Sequence, residues 1–153
     1  MKSLELKVPP AIVLLVAVGC MCALTFAFPR LTVNIPGKLP VAITFMMLGA
    51  AVAALGVREF RKAHTTVNPL APGRASSLVT SGVFRLTRNP MYLGMALALY
   101  GVAWYLQNFL TFVVLAGFVV YITRHQIIPE ERAIASKFGD VYADYQSRVR
   151  RWV

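Results

Sequence analysis

Charge is scarce in this sequence, and acidic charge scarcest: charged residues make up 14% of the 153, with six Asp and Glu against sixteen Lys and Arg. Soluble domains carry roughly 25% charged residues, so 58% hydrophobic residues and a mean hydropathy of +0.62 place the chain outside that class. Cysteine is limited to Cys20 and Cys22. They stand two positions apart in one apolar run, where a helix points them in different directions, which excludes a disulfide framework or a cysteine metal site. His64 and His125 are too scattered for metal ligation, so no metal is expected. A net charge of +10 would point to nucleic acid in a soluble protein. Here the basic residues lie between and after long apolar runs, so membrane topology accounts for them and no nucleic-acid partner is expected.

What is present is a series of apolar runs. Pro10 to Phe28 and Leu39 to Val57 each hold about 19 residues without a charge, enough to cross roughly 30 Å of hydrocarbon. The first is longer than a typical signal-peptide core and is read as a span. Pro29 and Asn34-Ile35-Pro36-Gly37 break the chain between them, predicting a short external turn and an antiparallel hairpin. A second hairpin is predicted from Met91 to Ile128, with Gln107 and Asn108 as its turn. The fold expected is therefore all-α. It is a single polytopic membrane domain over 1–153, with spans at about 10–28, 39–57, 91–106 and 109–128. Fourteen basic residues fall at the amino terminus, between spans two and three, or after span four, against Arg30 and Lys38 in the opposite turn. Both termini are thus expected in the cytoplasm, with a bacterial inner membrane as the setting. Gly49, Ala53 and Gly56 recur at helical spacing and predict close approach of another helix to span two. The first three spans contain no Asp, Glu, Lys or Arg, which argues against a proton-coupled pump or small multidrug transporter.

Two polar segments remain to carry chemistry. Residues 63–90 form a cytoplasmic loop rich in Thr, Ser, Asn, Pro and Gly, ending in Asn89-Pro90, where Pro90 suits a first helical turn and Asn89 is placed to cap it. After the fourth span, Pro129-Glu130-Glu131 precedes Ile134, Phe138, Val141, Tyr145 and Val149 at spacings of three and four. This predicts an amphipathic interfacial helix over about 130–150. Pro129 reads as its start, the two carboxylates as favourable charges at its positive end, and Arg148 to Trp152 as an interfacial anchor. Both segments emerge from one hairpin on one side, so a single site built from both is expected.

The pattern Arg88-Asn89-Pro90-Met91-Tyr92-Leu93-Gly94, a hydrophobic span, then Glu130-Glu131 resembles the RHPxYxG-hydrophobic-EE signature of the isoprenylcysteine carboxyl methyltransferase and phospholipid methyltransferase superfamily. Leu78-Val79-Thr80-Ser81-Gly82-Val83-Phe84 and Phe138-Gly139-x-x-Tyr142-x-x-Tyr145 share the likeness, which covers about Arg61 to the end. The resemblance implies an integral membrane methyltransferase that uses S-adenosylmethionine, with a cytoplasm-facing cofactor pocket and a lipophilic substrate arriving from the bilayer. Carried over by position, the cofactor would touch Ser76, Ser77, Leu78, Val79, Phe84, Asn89, Pro90, Met91, Tyr92 and Glu130. Asn89 replaces the superfamily's His, which removes a titratable group. Gln126 stands where the prenylcysteine enzymes place a carboxylate-holding Arg, with Arg124 and His125 beside it; these three are the substrate-side candidates. The acceptor is then a carboxylate, a lipid amine or a small lipophilic nucleophile. Methyl transfer needs orientation and dryness more than an acid or base, and no catalytic base is assigned. The competing reading is a small non-enzymatic membrane scaffold that binds partners through its basic face and the Arg148 to Arg151 cluster.

Overall fold

A computed structural model describes residues 5–64 and 77–153. Among them the regular structure is helical: α1 (Pro10–Ala27), α2 (Lys38–Lys62), α3 (Pro90–Leu106), α4 (Phe109–Ile122) and α5 (Ile128–Arg148). A π-helical segment, Thr123–Ile127, joins α4 to α5. Short 3-10 turns lie at Pro29–Leu31 and Gly82–Arg85. Three helices are long and apolar enough to cross a membrane: α1, α2 and the helical run Phe109–Arg148, whose charge-free part is 109–123. α3 is as apolar but has 17 residues. Their outward faces carry large exposed side chains such as Leu15, Val16, Phe26, Met47 and Val120. In water this would be a liability; against lipid it is the expected surface.

Lipid supplies no hydrophobic drive between helices, so small residues and close van der Waals contact decide which helices pair. α2 and α3 are the most intimate pair. Gly49 lies against the Gly94 carbonyl, Gly56 against Pro90 and Gly101 against the Ala42 carbonyl, so the two run antiparallel with backbones nearly touching. A Cβ on Gly101 would sit 2.7 Å from that carbonyl oxygen, which leaves room only for glycine. The small face anticipated on α2 is therefore spent on α3. In consequence the expected hairpin of the first two spans does not pack as a pair; α1 lies against α4 and α3 instead. Hydrogen bonds fasten α1 antiparallel to α4 at both ends, from Asn108 Nδ2 to the Phe28 carbonyl (2.9 Å) and from Gln126 Nε2 to the Val8 carbonyl (2.7 Å).

Gln107 and Asn108 do form the turn between α3 and α4. Gln107 takes the left-handed conformation and Asn108 caps α4 by accepting from the Leu110 amide. Their side chains also hold residues 28–35 over that turn, since Gln107 bonds both backbone groups of Ile35 and Asn108 bonds Thr32.

At the opposite end two expectations need correction. Pro129 does not start a separate helix: α4 runs through the π segment into α5, and Glu130 and Glu131 stand inside a continuous helix, away from any free amino-terminal dipole. Pro129 has no N–H to offer the His125 carbonyl four residues back. The wider π turn accommodates the ring, and the Leu6 amide donates to that carbonyl at 3.0 Å. The interruption expected at Phe138-Gly139 is present, with Gly139 at φ 50, ψ −127. The carboxy-terminal residues are not a free interfacial anchor. Trp152 packs on the core built around Met21, Leu99, Ile122 and Ile127 and donates to Thr123 Oγ1 at 3.3 Å.

Candidate active site

The antiparallel packing brings the start of α3, the start of α5 and residues 77–84 to one end of the molecule, where they enclose a cavity of about 670 Å³ counting its open mouth. Ser77, Leu78, Val79, Phe84, Asn89, Pro90, Met91, Tyr92 and Glu130 all line it; Ser76 lies outside the described residues. The walls are completed by the aromatic and aliphatic side chains of Phe60, Ile134, Phe138, Tyr142 and Tyr145 and by the charged pair Arg88 and Glu131.

Glu130 is the ionisable centre of this space. Its Oε1 accepts a short hydrogen bond from the Tyr92 hydroxyl, one α3 residue reaching across to α5. Burial pushes the Glu130 carboxyl up to about 8; the Tyr92 hydrogen bond opposes this, and the neighbouring Glu131 charge adds to it. Glu131 has the opposite environment. Burial alone would raise it, but hydrogen bonds from Arg151 and Arg88 hold it below the ordinary carboxylate range. Arg88 Nη2 and Arg151 Nη2 each approach it at 2.7 Å. The two adjacent carboxylates thus play different parts. Glu131 is neutralised in the wall, and Glu130 is left facing the cavity.

Arg88 ties that wall to the chain's last residues. Its Nη1 donates to the Val149 carbonyl (2.7 Å) and its amide to the Arg150 carbonyl (3.0 Å). Asn89, placed by sequence to cap α3, does not cap it. Its Nδ2 donates to the Arg151 carbonyl at 2.9 Å, while the Asn89 amide is satisfied by Thr87 Oγ1. The residue is a fastener between the start of α3 and the tail.

The third wall, residues 77–84, is fixed from two sides. Ser81 donates to Glu59 Oε2 at 2.5 Å, and the Tyr145 hydroxyl donates to the Phe84 carbonyl at 2.7 Å. Phe60 of α2 meets Phe84 edge to face at 5.3 Å. Gly82, at φ +56, packs directly on the Glu59 side chain. Glu59 and Phe60 were not anticipated as site residues. The available signal was a lone acid at the foot of α2 among Arg58, Arg61 and Lys62.

Arg124, His125 and Gln126 do not line the cavity. Arg124 is exposed, His125 stacks on Tyr121 with centroids 4.6 Å apart, and Gln126 is fully buried and committed to the Val8 carbonyl. Among the described residues no cluster of His, Cys, Asp and Glu could hold a metal. The cavity instead offers the Glu130 carboxyl, which has no cationic partner among the described residues, aromatic faces, and a buried Arg88 Nε with no acceptor of its own. That set suits an organic cation with a planar ring and oxygen acceptors.

The sequence pattern of the family described as phospholipid methyltransferase matches residues 38–141. Over 108 residues the chain is 24% identical to the protein-S-isoprenylcysteine O-methyltransferase of Schizosaccharomyces pombe, covering 71% of this chain and 46% of that protein. It therefore spans under half the length of that relative. Over 63 residues, 41% of this chain, it is 40% identical to the whole of an uncharacterized protein of Haemophilus influenzae. No solved structure matches significantly.

Proposed function

Because the chain belongs to the phospholipid methyltransferase family, we propose that this cavity binds S-adenosylmethionine and that the protein methylates a lipophilic acceptor drawn from the bilayer. The observation that carries the reading is convergence. Every described residue expected to touch the cofactor, from three separate segments, meets around Glu130 in one cavity. When bound, the cofactor supplies an electrophilic methyl group on a sulfonium. Glu130 is available to balance its positive charges or accept from ribose hydroxyls, and the aromatic walls favour a cation. Phe84, Phe138 and Tyr142 help to exclude water, and holding acceptor and methyl group together in a dry site lowers the barrier by several kcal/mol, on the order of what proximity supplies elsewhere.

For the acceptor, an amine or other uncharged nucleophile fits better than a carboxylate. Arg88 is already paired with Glu131, and Gln126 is turned away toward Val8. The basic residues gathered at the cavity end support a cytoplasmic orientation of that end, in a bacterial inner membrane. In the cluster on which the scaffold alternative rests, Arg148 pairs with Asp144 and Arg151 with Glu131, so two of its three arginines already have a partner within the chain.

Isothermal titration of the detergent-purified protein with S-adenosylhomocysteine tests the proposal. Saturable heat is expected in the wild type and none in Glu130→Ala. Absence of heat in the wild type, or identical binding by the variant, refutes it.

A further inference from the structure

The last turns of α2 present two chemically different faces. Gly56, Glu59 and Phe60 point toward α3, residues 81–82 and the cavity. On the other side of the same helix Ala54, Val57, Arg58, Arg61, Lys62 and His64 line a groove. At 100° per residue the two sets are centred on opposite sides of the helix, so the groove is separate from the proposed methyl-transfer cavity.

The cations of this groove are unequally committed. Lys62 is paired with Glu59 at 3.0 Å. Arg58 and Arg61 are exposed and have no carboxylate within ion-pairing distance among the described residues. One helical turn apart and lining one groove, they can fork around a ligand at the point where α2 leaves its apolar stretch, directly beyond Ala54 and Val57. A fork of two guanidiniums matches the tetrahedral oxygens of a phosphate. Its position at the end of a candidate membrane span sets the phosphate at headgroup depth, with an apolar floor for the first methylenes below.

We propose that this groove is a binding site for the headgroup of an anionic phospholipid, held by Arg58 and Arg61. Two uncompensated guanidiniums discriminate by charge. A zwitterionic headgroup brings an ammonium into the field of both, whereas phosphatidylglycerol brings none. The Lys62, Glu59, Ser81 chain stays intact when the site is filled, because the lipid uses only the two free cations.

The test is competitive binding of short-chain lipids to the full-length protein in a neutral detergent, read by native mass spectrometry. The wild type should retain dioctanoyl phosphatidylglycerol in preference to dioctanoyl phosphatidylcholine. Each basic residue at a membrane surface is worth about fivefold in affinity, so Arg58→Gln/Arg61→Gln should weaken phosphatidylglycerol binding about thirtyfold. Arg61→Gln alone should weaken it about fivefold and serves if the double variant melts early by circular dichroism. Arg148→Gln/Arg150→Gln, which removes two charges elsewhere at the same end, should change it less than twofold. Equal losses in the two double variants would reduce the effect to diffuse charge and overturn the site. So would equal retention of the two lipids, or displacement of phosphatidylglycerol by millimolar inorganic phosphate, which would assign the fork to free phosphate.

Discussion

At the scale of single residues, the site rests on how differently two adjacent glutamates are treated. Glu131 is held ionised by Arg88 and Arg151, whereas the Glu130 carboxyl, enclosed with Tyr92, titrates at about 8 instead of the ordinary 4.5. The folded protein therefore keeps a proton at Glu130 that the unfolded chain loses above about 4.5, and stability attributable to this residue falls as pH rises from there toward about 8 and levels off beyond. Thermal melting of the wild type and Glu130→Gln across pH 5 to 9, about the range of that titration, should show this downward slope only in the wild type. The same carboxyl couples to the proposed cofactor. A sulfonium favours the ionised form, so binding at neutral pH should release a proton, and titrations of S-adenosylhomocysteine, which lacks the sulfonium, should release fewer than titrations of S-adenosylmethionine. Calorimetry in two buffers of different ionisation heat reads the difference. Equal proton release for the two ligands would mean that Glu130 does not face the sulfonium.

At the scale of elements, the helices and the motif they carry were legible because each rests on local pattern: apolar runs of spanning length, small residues every three or four positions, Asn108 ahead of α4. The same local reading misassigned Pro129 and Asn89, for one reason. Proline usually opens a helix and asparagine usually caps one, but both rules assume that the backbone groups nearby have no distant partner. Here the Leu6 amide serves the carbonyl that Pro129 leaves open, and the Arg151 carbonyl captures the Asn89 side chain. Contacts between residues so far apart in the sequence leave no periodic trace. Gln126 belongs to this class, tying the π segment to Val8 across 118 residues, where superfamily resemblance placed it near substrate. Gln126→Leu should therefore cost about 1 kcal/mol of stability, the worth of one hydrogen bond, and leave S-adenosylhomocysteine affinity within twofold of wild type. A variant of unchanged stability with impaired methyl transfer would return Gln126 to the substrate side.

At the scale of the whole molecule, the arrangement joins two solvents. On the proposed function, one end of an apolar bundle would carry a cavity open to water, and the bundle's lipid-facing surface is where a hydrophobic acceptor would reside. Such a cavity needs a fixed wall, and the tail holds that wall in place from behind without lining it. Carbonyls of Val149, Arg150 and Arg151 receive the start of α3, the Arg151 guanidinium neutralises Glu131, and Trp152 is seated on Thr123. None of α1 to α4 takes its helical hydrogen bonds from these residues, so the helices can persist without them. Ending the chain after Arg148 would leave Arg88 and Glu131 half-paired in a partly buried wall, a change worth on the order of 3 kcal/mol, and would unfasten the start of α3 from α5. The expected outcome is a truncated protein whose far-UV circular dichroism keeps most of its helical signal in detergent while the heat of S-adenosylhomocysteine binding disappears. Adding back a tail with Arg151→Lys should restore binding only in part, because lysine keeps the charge but cannot reproduce the two-pronged contact with Glu131. Full binding by the truncated protein would show that the cavity closes without its tail.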